Sequence, residues 1–254
     1  MMDRRIGAQL YNVRKDTQTA EEMDKALARL HDMGYKTMQV SGVGPIPAEK
    51  IAELAKKYDM EIMCTHRDFG EYADDTEAAI KFHETLGCKL PGIGMLPGGF
   101  ERSEAGFRQF ARALRPVIAK MKEHGLPLLY HNHAFEFEKT NSGKTFFDIL
   151  IEETELDFIV DVYWVIDAGV DPAKFIRQLG SRAKVIHFKD KWVKANVREM
   201  CPIMEGNLDW DAIIEACDEA GSLWAAVEHD VCNNIDPYDS MEISYNNLKT
   251  KGFC

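Results

Sequence analysis

Short apolar runs alternate with amphipathic helical stretches eight times along this chain, and that alternation leaves few folds open. The first run is IGAQLYNV, followed by AEEMDKALARLHDMG. In the second stretch Met23, Ala26, Leu27 and Leu30 recur at spacings of three and four, which gives a helix one apolar face. The next pairs are TMQVSG with PAEKIAELAKKYD, EIMCTHRDF with DTEAAIKFHETLG, KLPGIGMLP with SEAGFRQFARALRPVIAKMKEHG, and PLLYHNHAF with KTFFDILIEETE. The series ends with DFIVDVYWV and DPAKFIRQLG, then AKVIHFKD, a loop and LDWDAIIEACDEAG, then SLWAAVEHD and PYDSMEISYNNLK. Strict alternation implies a parallel sheet covered by helices. Eight such units in 254 residues predict a closed (β/α)8 TIM barrel, one domain over 1–254. An open doubly wound sheet would carry a Gly-rich phosphate loop after its first strand, and AQLYNVRKDT has none.

The punctuation agrees. Gly34, Gly87, Gly125, Gly180 and Gly221 each follow a helical stretch, where the left-handed cap conformation suits glycine. Asp171-Pro172, Asp209 and Asp236-Pro237 stand where helices should begin. A net charge of -11 repels phosphate backbones and anionic lipid, which argues against nucleic acid and membranes as partners. No apolar run approaches the roughly 20 residues that span a bilayer, and the first residues lack a signal-like apolar stretch. Cys64, Cys88, Cys201, Cys217, Cys232 and Cys254 show no CxxC spacing. They predict reduced, mostly buried thiols in a cytoplasmic protein. A homo-oligomer is compatible with the sequence.

A barrel strand should be apolar on both faces, so polar residues near its C-terminal end mark the functional rim. The interruptions here are Gln9, His66, His131, His133, Asp161, His187, Lys189 and Glu228, with Glu136 in the loop after strand five. Asp161, His187 and Glu228 each follow three apolar residues on strands six, seven and eight, so they should converge at one height on the barrel axis. A single such residue is ordinarily a hydrogen-bonded core group. Three together are costly to bury without a cation, and one divalent metal ion would resolve the cost for all of them. Mixed oxygen and nitrogen donors suit Mn²⁺, Zn²⁺, Fe²⁺ or Co²⁺ better than Ca²⁺. Lys189 shares the phase of His187 and should point inward, to a substrate oxygen or to Asp161 or Asp190. His229 should face the helices. His31, His83 and His124 read as surface histidines. Asp68, Tyr72 and Trp192 are pocket or loop-packing residues.

At YHNHAFEF, DVYWV with AGVDP, HFKD, EGNLDW and VEHD the chain resembles the xylose isomerase-like TIM barrels, the sugar phosphate isomerase/epimerase-like proteins. The resemblance runs from AQLY in strand one to VEHD in strand eight. It implies a metal held by a Glu after strand five, an Asp after six, a His after seven and a Glu after eight. Asp161, His187 and Glu228 match that pattern. Strand five departs from it, because His131, Asn132 and His133 stand where many members have a glutamate followed by Asn or Pro. The resemblance thus predicts Glu136 as fourth ligand and His133 as the base, with His131 as the alternative ligand and Glu228 as the alternative base. Gln9, His66, His131 and Lys189 are then expected to contact substrate, with Lys189 also stabilising developing negative charge. Mn²⁺ comes first among candidate ions, ahead of Zn²⁺, Co²⁺, Fe²⁺ and Mg²⁺.

The implied activity is sugar isomerisation or epimerisation, by removal of a proton beside a carbonyl through an enediolate. The YHNHxFEF form also resembles a subgroup that eliminates from 3-oxo sugars and 3-oxo glycosides, so a lyase or dehydratase on the same metal site is the alternative. A non-catalytic sugar-binding barrel is the alternative of another class. A repair nuclease would need more metal ligands and a basic face, which the acidic balance disfavours. The expected partner is a small-molecule sugar or oxidised sugar.

Overall fold

A computed structural model describes residues 1–233 and 235–254. The chain runs β1 (Gly7–Gln9), α1 (Ala20–Met33), β2 (Thr37–Val40), α2 (Ala48–Lys57), β3 (Glu61–Thr65), α3 (Phe69–Ala73) and α4 (Thr76–Leu86). It continues through β4 (Gly92–Ile93), α5 (Glu104–Glu123), β5 (Leu129–His131), α6 (Phe146–Glu153), β6 (Asp157–Asp161), α7 (Val162–Asp167) and α8 (Pro172–Leu179). It ends with β7 (Ala183–Phe188), β8 (Asp190–Lys194), β9 (Val197–Cys201), α9 (Trp210–Ala220), β10 (Trp224–Val227) and α10 (Pro237–Lys249). Eight parallel strands lie in the order β3-β2-β1-β10-β7-β6-β5-β4. The seam between β3 and β4 closes through backbone bonds from Thr65 N to Leu90 O and from Arg67 N to Gly92 O. The result is the single-domain TIM barrel expected from the alternation. Gly92 is required at that seam, because a Cβ there would lie 2.4 Å from the Thr65 carbonyl oxygen.

Local chemistry explains where elements start and stop. Thr19 and Glu22 form a reciprocal capping box that opens α1, and Gly34 closes it in the left-handed conformation. Asp171, Asp209 and Asp236 cap α8, α9 and α10 as predicted. Three readings of the sequence need correction. Strand six does not run through Val165. It ends at Asp161, whose Oδ1 accepts hydrogen bonds from Tyr163 N and Trp164 N and so starts α7. The loop after strand seven contains an antiparallel hairpin, β8 with β9, turned by Ala195 and Asn196 at positive φ. His83 is not a surface residue. It is fully buried on α4, with Nε2 2.8 Å from Thr65 Oγ1 and Nδ1 2.7 Å from Ala79 O, and burial pulls it down to about 4. Its apolar helix face packs on the barrel, and periodicity alone did not reveal a polar residue within it.

The core has two parts. Helix faces and outward strand residues form the large outer cluster. Inside the barrel, Met63, Cys64, Leu90, Leu129, Ile159, Val185 and Ala226 form a separate apolar plug. All six cysteines are free, and four of them are buried.

Candidate metal centre and active-site cavity

The site is built on the plug. One residue pair further along, β5, β6 and β7 carry His131, Asp161 and His187 on the inward face, and Glu228 follows the end of β10. Asp161 and His187 are level across the β6–β7 pair. One ligand atom from each of His131, Asp161, His187 and Glu228 lies within 4.8 Å of the others, and all four residues are buried.

Their hydrogen bonds show how each side chain is aimed. His131 Nδ1 lies 3.1 Å from the Gly94 carbonyl, which only a ring N–H can satisfy. Its Nε2 therefore carries the lone pair, 3.5 Å from Asp161 Oδ2. Neither Nε2 nor Oδ2 has a hydrogen-bond partner among the described residues. His187 Nε2 lies 2.7 Å from the Gln39 side-chain amide. His187 Nδ1 faces Glu228 Oε2 at 2.7 Å and Asp161 Oδ2 at 3.9 Å. Acceptors facing acceptors in a buried site need a proton or a cation between them. His131 also gives its outer N–H to an oxygen, as metal-ligating histidines do. The donor set and its unpartnered atoms fit one divalent ion.

The electrostatics follow from burial. Desolvation, reinforced by His187, pulls His131 down to about 3, so its lone pair is free near neutrality. Desolvation raises Asp161 against the pull of Lys189. For Glu228 burial acts in the same sense, but Lys189 and His187 outweigh it and hold this carboxyl well below its usual range. Lys189 is 1% exposed and lies 3.0 Å from Asp230 Oδ1, 3.4 Å from Asp161 Oδ2 and 3.7 Å from Glu228 Oε2. Burial opposes its charge, and these three carboxylates more than restore it. It points inward as expected, but its partners do not include Asp190. That carboxylate instead accepts from Met204 N, Gly206 N and Trp210 Nε1 and organises the segment after β9.

A cavity of about 650 Å³ opens above the cluster, with His66, His131, His133, Trp164, Lys189 and Glu228 in its wall. His66 stands edge-on to His131 with ring centroids 4.8 Å apart, and its Nε2 is buried without a partner among the described residues. His133 sits 4.9 Å from His131 on the other side, between Phe135 and Trp164, and its Nδ1 likewise has no partner among the described residues. Gln9 is fully buried at the end of β1 and accepts from Tyr11 N, away from the cavity wall. Asp68 lines the cavity, Tyr72 is buried and donates to Gly92 O, and Trp192 lines a second pocket by the hairpin.

Glu136, expected as the fourth ligand, does not join this cluster. Its Oε1 accepts from Tyr130 OH at 2.6 Å and its Oε2 from His133 N at 2.7 Å, so it stands outside the cluster and His131 takes the fourth place. The strand ends at His131, and the turn Phe135–Phe137 carries Glu136 away from the axis. His229 faces the helices, 2.6 Å from Ser240 Oγ. Sequence reasoning missed Gln39, Trp164 and Asp230. Gln39 interrupts TMQV as Gln9 interrupts its own strand, and Asp230 shares the phase of Glu228, so both carried a usable signal. Trp164 carried none while its segment read as strand.

Comparison with known proteins agrees with the fold. The family model described as xylose isomerase-like TIM barrel matches residues 22–243. Inosose dehydratases of two Mesomycoplasma hyopneumoniae strains, 7448 and 232, are 23% identical over 188 residues. That match covers 66% of this chain and spans 62% of the length of those relatives. A sugar phosphate isomerase/epimerase from Parabacteroides distasonis superposes with TM-score 0.83 at 19% identity, over 98% of this chain and 94% of that one. The IolI protein with a bound zinc atom superposes with TM-score 0.69 at 12% identity, over 98% of this chain and 99% of that one. With the model match covering most of its length, this chain belongs to the xylose isomerase-like TIM barrel family.

Proposed function

We propose that this protein is a metal-dependent enzyme that removes a proton beside the carbonyl of a sugar or oxidised sugar and returns it, giving an isomer or an epimer. The observation that carries this reading is the facing pair of buried acceptor atoms at the cavity floor, His131 Nε2 and Asp161 Oδ2, neither of which has a hydrogen-bond partner among the described residues. A divalent ion held by His131, Asp161, His187 and Glu228 would supply Lewis acidity at a substrate carbonyl, with Mn²⁺ first among the ions that suit these donors. The zinc in the IolI protein supports a metal in a barrel of this shape.

The chain's own residues supply the rest. Desolvation pulls His133 down to about 3, so it is neutral, and its Nδ1 has no partner among the described residues. Asp161 and Glu228 favour the cation it becomes on accepting a proton. Lys189 offers a fixed positive charge to a substrate oxygen from the cavity wall. His66 offers its unpartnered Nε2 to a hydroxyl. The plug beneath the site excludes water from below. The six free thiols support a cytoplasmic setting.

A second reading is favoured by the inosose dehydratases among the relatives. After the same proton leaves, loss of a β-hydroxyl would make the protein a dehydratase. One experiment addresses both. Ketoses, inososes and 3-oxo glycosides are incubated in D₂O with protein and Mn²⁺, and deuterium at the α-carbon and loss of water are followed by NMR and mass spectrometry. Exchange with return of carbon skeleton supports the first reading, and release of water supports the second. His133→Ala should lower exchange by about 10²-fold or more. A substrate processed without any loss of its α-proton would sink both.

A further inference from the structure

Glu136 is a fully buried carboxylate that the metal cluster leaves unused. Desolvation pushes it up to about 7, so keeping it inside the protein is unfavourable unless its bonds matter. Both bonds run back along the chain, to Tyr130 OH at 2.6 Å and to His133 N at 2.7 Å. They fold the segment after β5 onto itself through the single turn Phe135–Phe137. Two other attachments hold the residues just before. His131 Nδ1 bonds the Gly94 carbonyl at 3.1 Å, and Asn132 exchanges bonds with Asp161 N at 3.0 Å and Asp161 O at 3.4 Å. Neither attachment reaches His133. Its backbone is held by Glu136, and its ring then rests between Phe135 and Trp164, with centroids 5.7 and 5.6 Å away.

We infer that Glu136 is a positioning residue for His133, and that the Tyr130–Glu136–His133 clasp holds the proton-accepting imidazole in the cavity wall. The inference rests on the reading of His133 as proton acceptor. Hydrogen bonds of this length are directional, and without Glu136 the part-buried His133 N would lose its partner. A displacement of about 1 Å in a reacting group can cost about 10²-fold in rate. An apolar residue of similar size would fill the space without aiming the loop.

The full-length protein loaded with Mn²⁺ tests this, with 2-ketohexoses and 2-inosose as probes of α-deuterium exchange. Glu136→Ala should lower kcat about 10- to 100-fold while KM and bound Mn²⁺ per chain stay at wild-type values. Glu136→Gln should recover to within a few-fold, since its amide oxygen can accept from His133 N and its amide N–H can donate to the Tyr130 hydroxyl oxygen. Tyr130→Phe should fall between them. Histidine ring signals in ¹⁵N NMR provide a readout without substrate. Those of His133 should shift in Glu136→Ala and return in Glu136→Gln, while those of His131 and His187 stay in place. Unchanged kcat in Glu136→Ala beside an inactive His133→Ala overturns the inference, as do unmoved His133 signals. Loss of Mn²⁺ in both Glu136 variants also overturns it, by making Glu136 a ligand. Full exchange in His133→Ala defeats the assignment of the base, and the clasp is then judged on the ring signals. Should Glu136→Ala fail to fold, unchanged kcat and His133 signals in Tyr130→Phe overturn the inference.

Discussion

Two layers inside one barrel differ by a single step along the same strands. Leu129, Ile159, Val185 and Ala226 belong to the apolar plug, and His131, Asp161, His187 and Glu228 stand two residues further on. Alternation keeps each pair on one face, about 7 Å apart at roughly 3.3 Å per residue. The lower layer is fully buried and stabilises by exclusion of water. The upper layer is almost as buried, but it carries two carboxylates and two imidazoles whose acceptor atoms face one another. The plug desolvates the polar layer from below while the cavity opens it from above. The same burial that stabilises Ile159 is what raises Asp161 and lowers His131.

If the layers do separate stability from chemistry, substitutions in each should show it. The largest effect belongs to the upper layer. Asp161→Ala or His187→Ala should abolish stoichiometric Mn²⁺ binding, read by elemental analysis after gel filtration, while circular dichroism stays that of a folded barrel. Loss of fold in both would show that the polar layer also carries the structure. In the lower layer, Leu129→Ala should cost about 2–5 kcal/mol of unfolding free energy in urea. Bound metal per chain should not change, and a loss of metal at full stability would contradict the division.

A third environment sharpens the contrast. His83 is as buried as His187 but lies outside the barrel wall, bonded to Thr65 and Ala79. Its folded value near 4 lies below the ordinary 6.5, so the unfolded chain binds more protons at acid pH. The stability it contributes is present above about 6.5 and is lost as pH falls towards about 4, by about 3 kcal/mol at 1.36 kcal/mol per unit. His83→Gln should flatten urea stability across that window. An unchanged pH profile would assign the acid sensitivity elsewhere. The smallest effect is expected behind the proposed metal ligands. Gln39→Leu removes the side-chain amide beside His187 Nε2 and should weaken Mn²⁺ binding about 10- to 100-fold, as titration calorimetry would read. Unaltered affinity would show that His187 needs no orienting partner.

Much of this molecule was legible in one dimension. The eightfold alternation, the Asp caps at 171, 209 and 236, and the inward phase of Asp161, His187, Lys189 and Glu228 all follow from local periods. Each period is set by backbone geometry, which repeats with the chain. The failures share a physical cause. Asp161 caps α7 with its own Oδ1, so a run that reads as strand turns into helix where a side chain meets two free N–H groups. His83 lies on an apolar face whose polar atoms are satisfied by Thr65, a residue from another element.

Strand five shows where the boundary lies. That polar side chains from its end serve the cavity followed from the order of residues, because barrel strands present their C-terminal ends to the functional rim. Which of His131, His133 and Glu136 meets Asp161 did not follow. Alternation assigns a direction only while the strand continues, and β5 stops at His131. Beyond it, direction depends on what the next residues bond to. Tyr130 and the His133 backbone take the Glu136 carboxylate, the Gly94 carbonyl aims His131 at Asp161, and these partnerships across elements exist only once the barrel has closed.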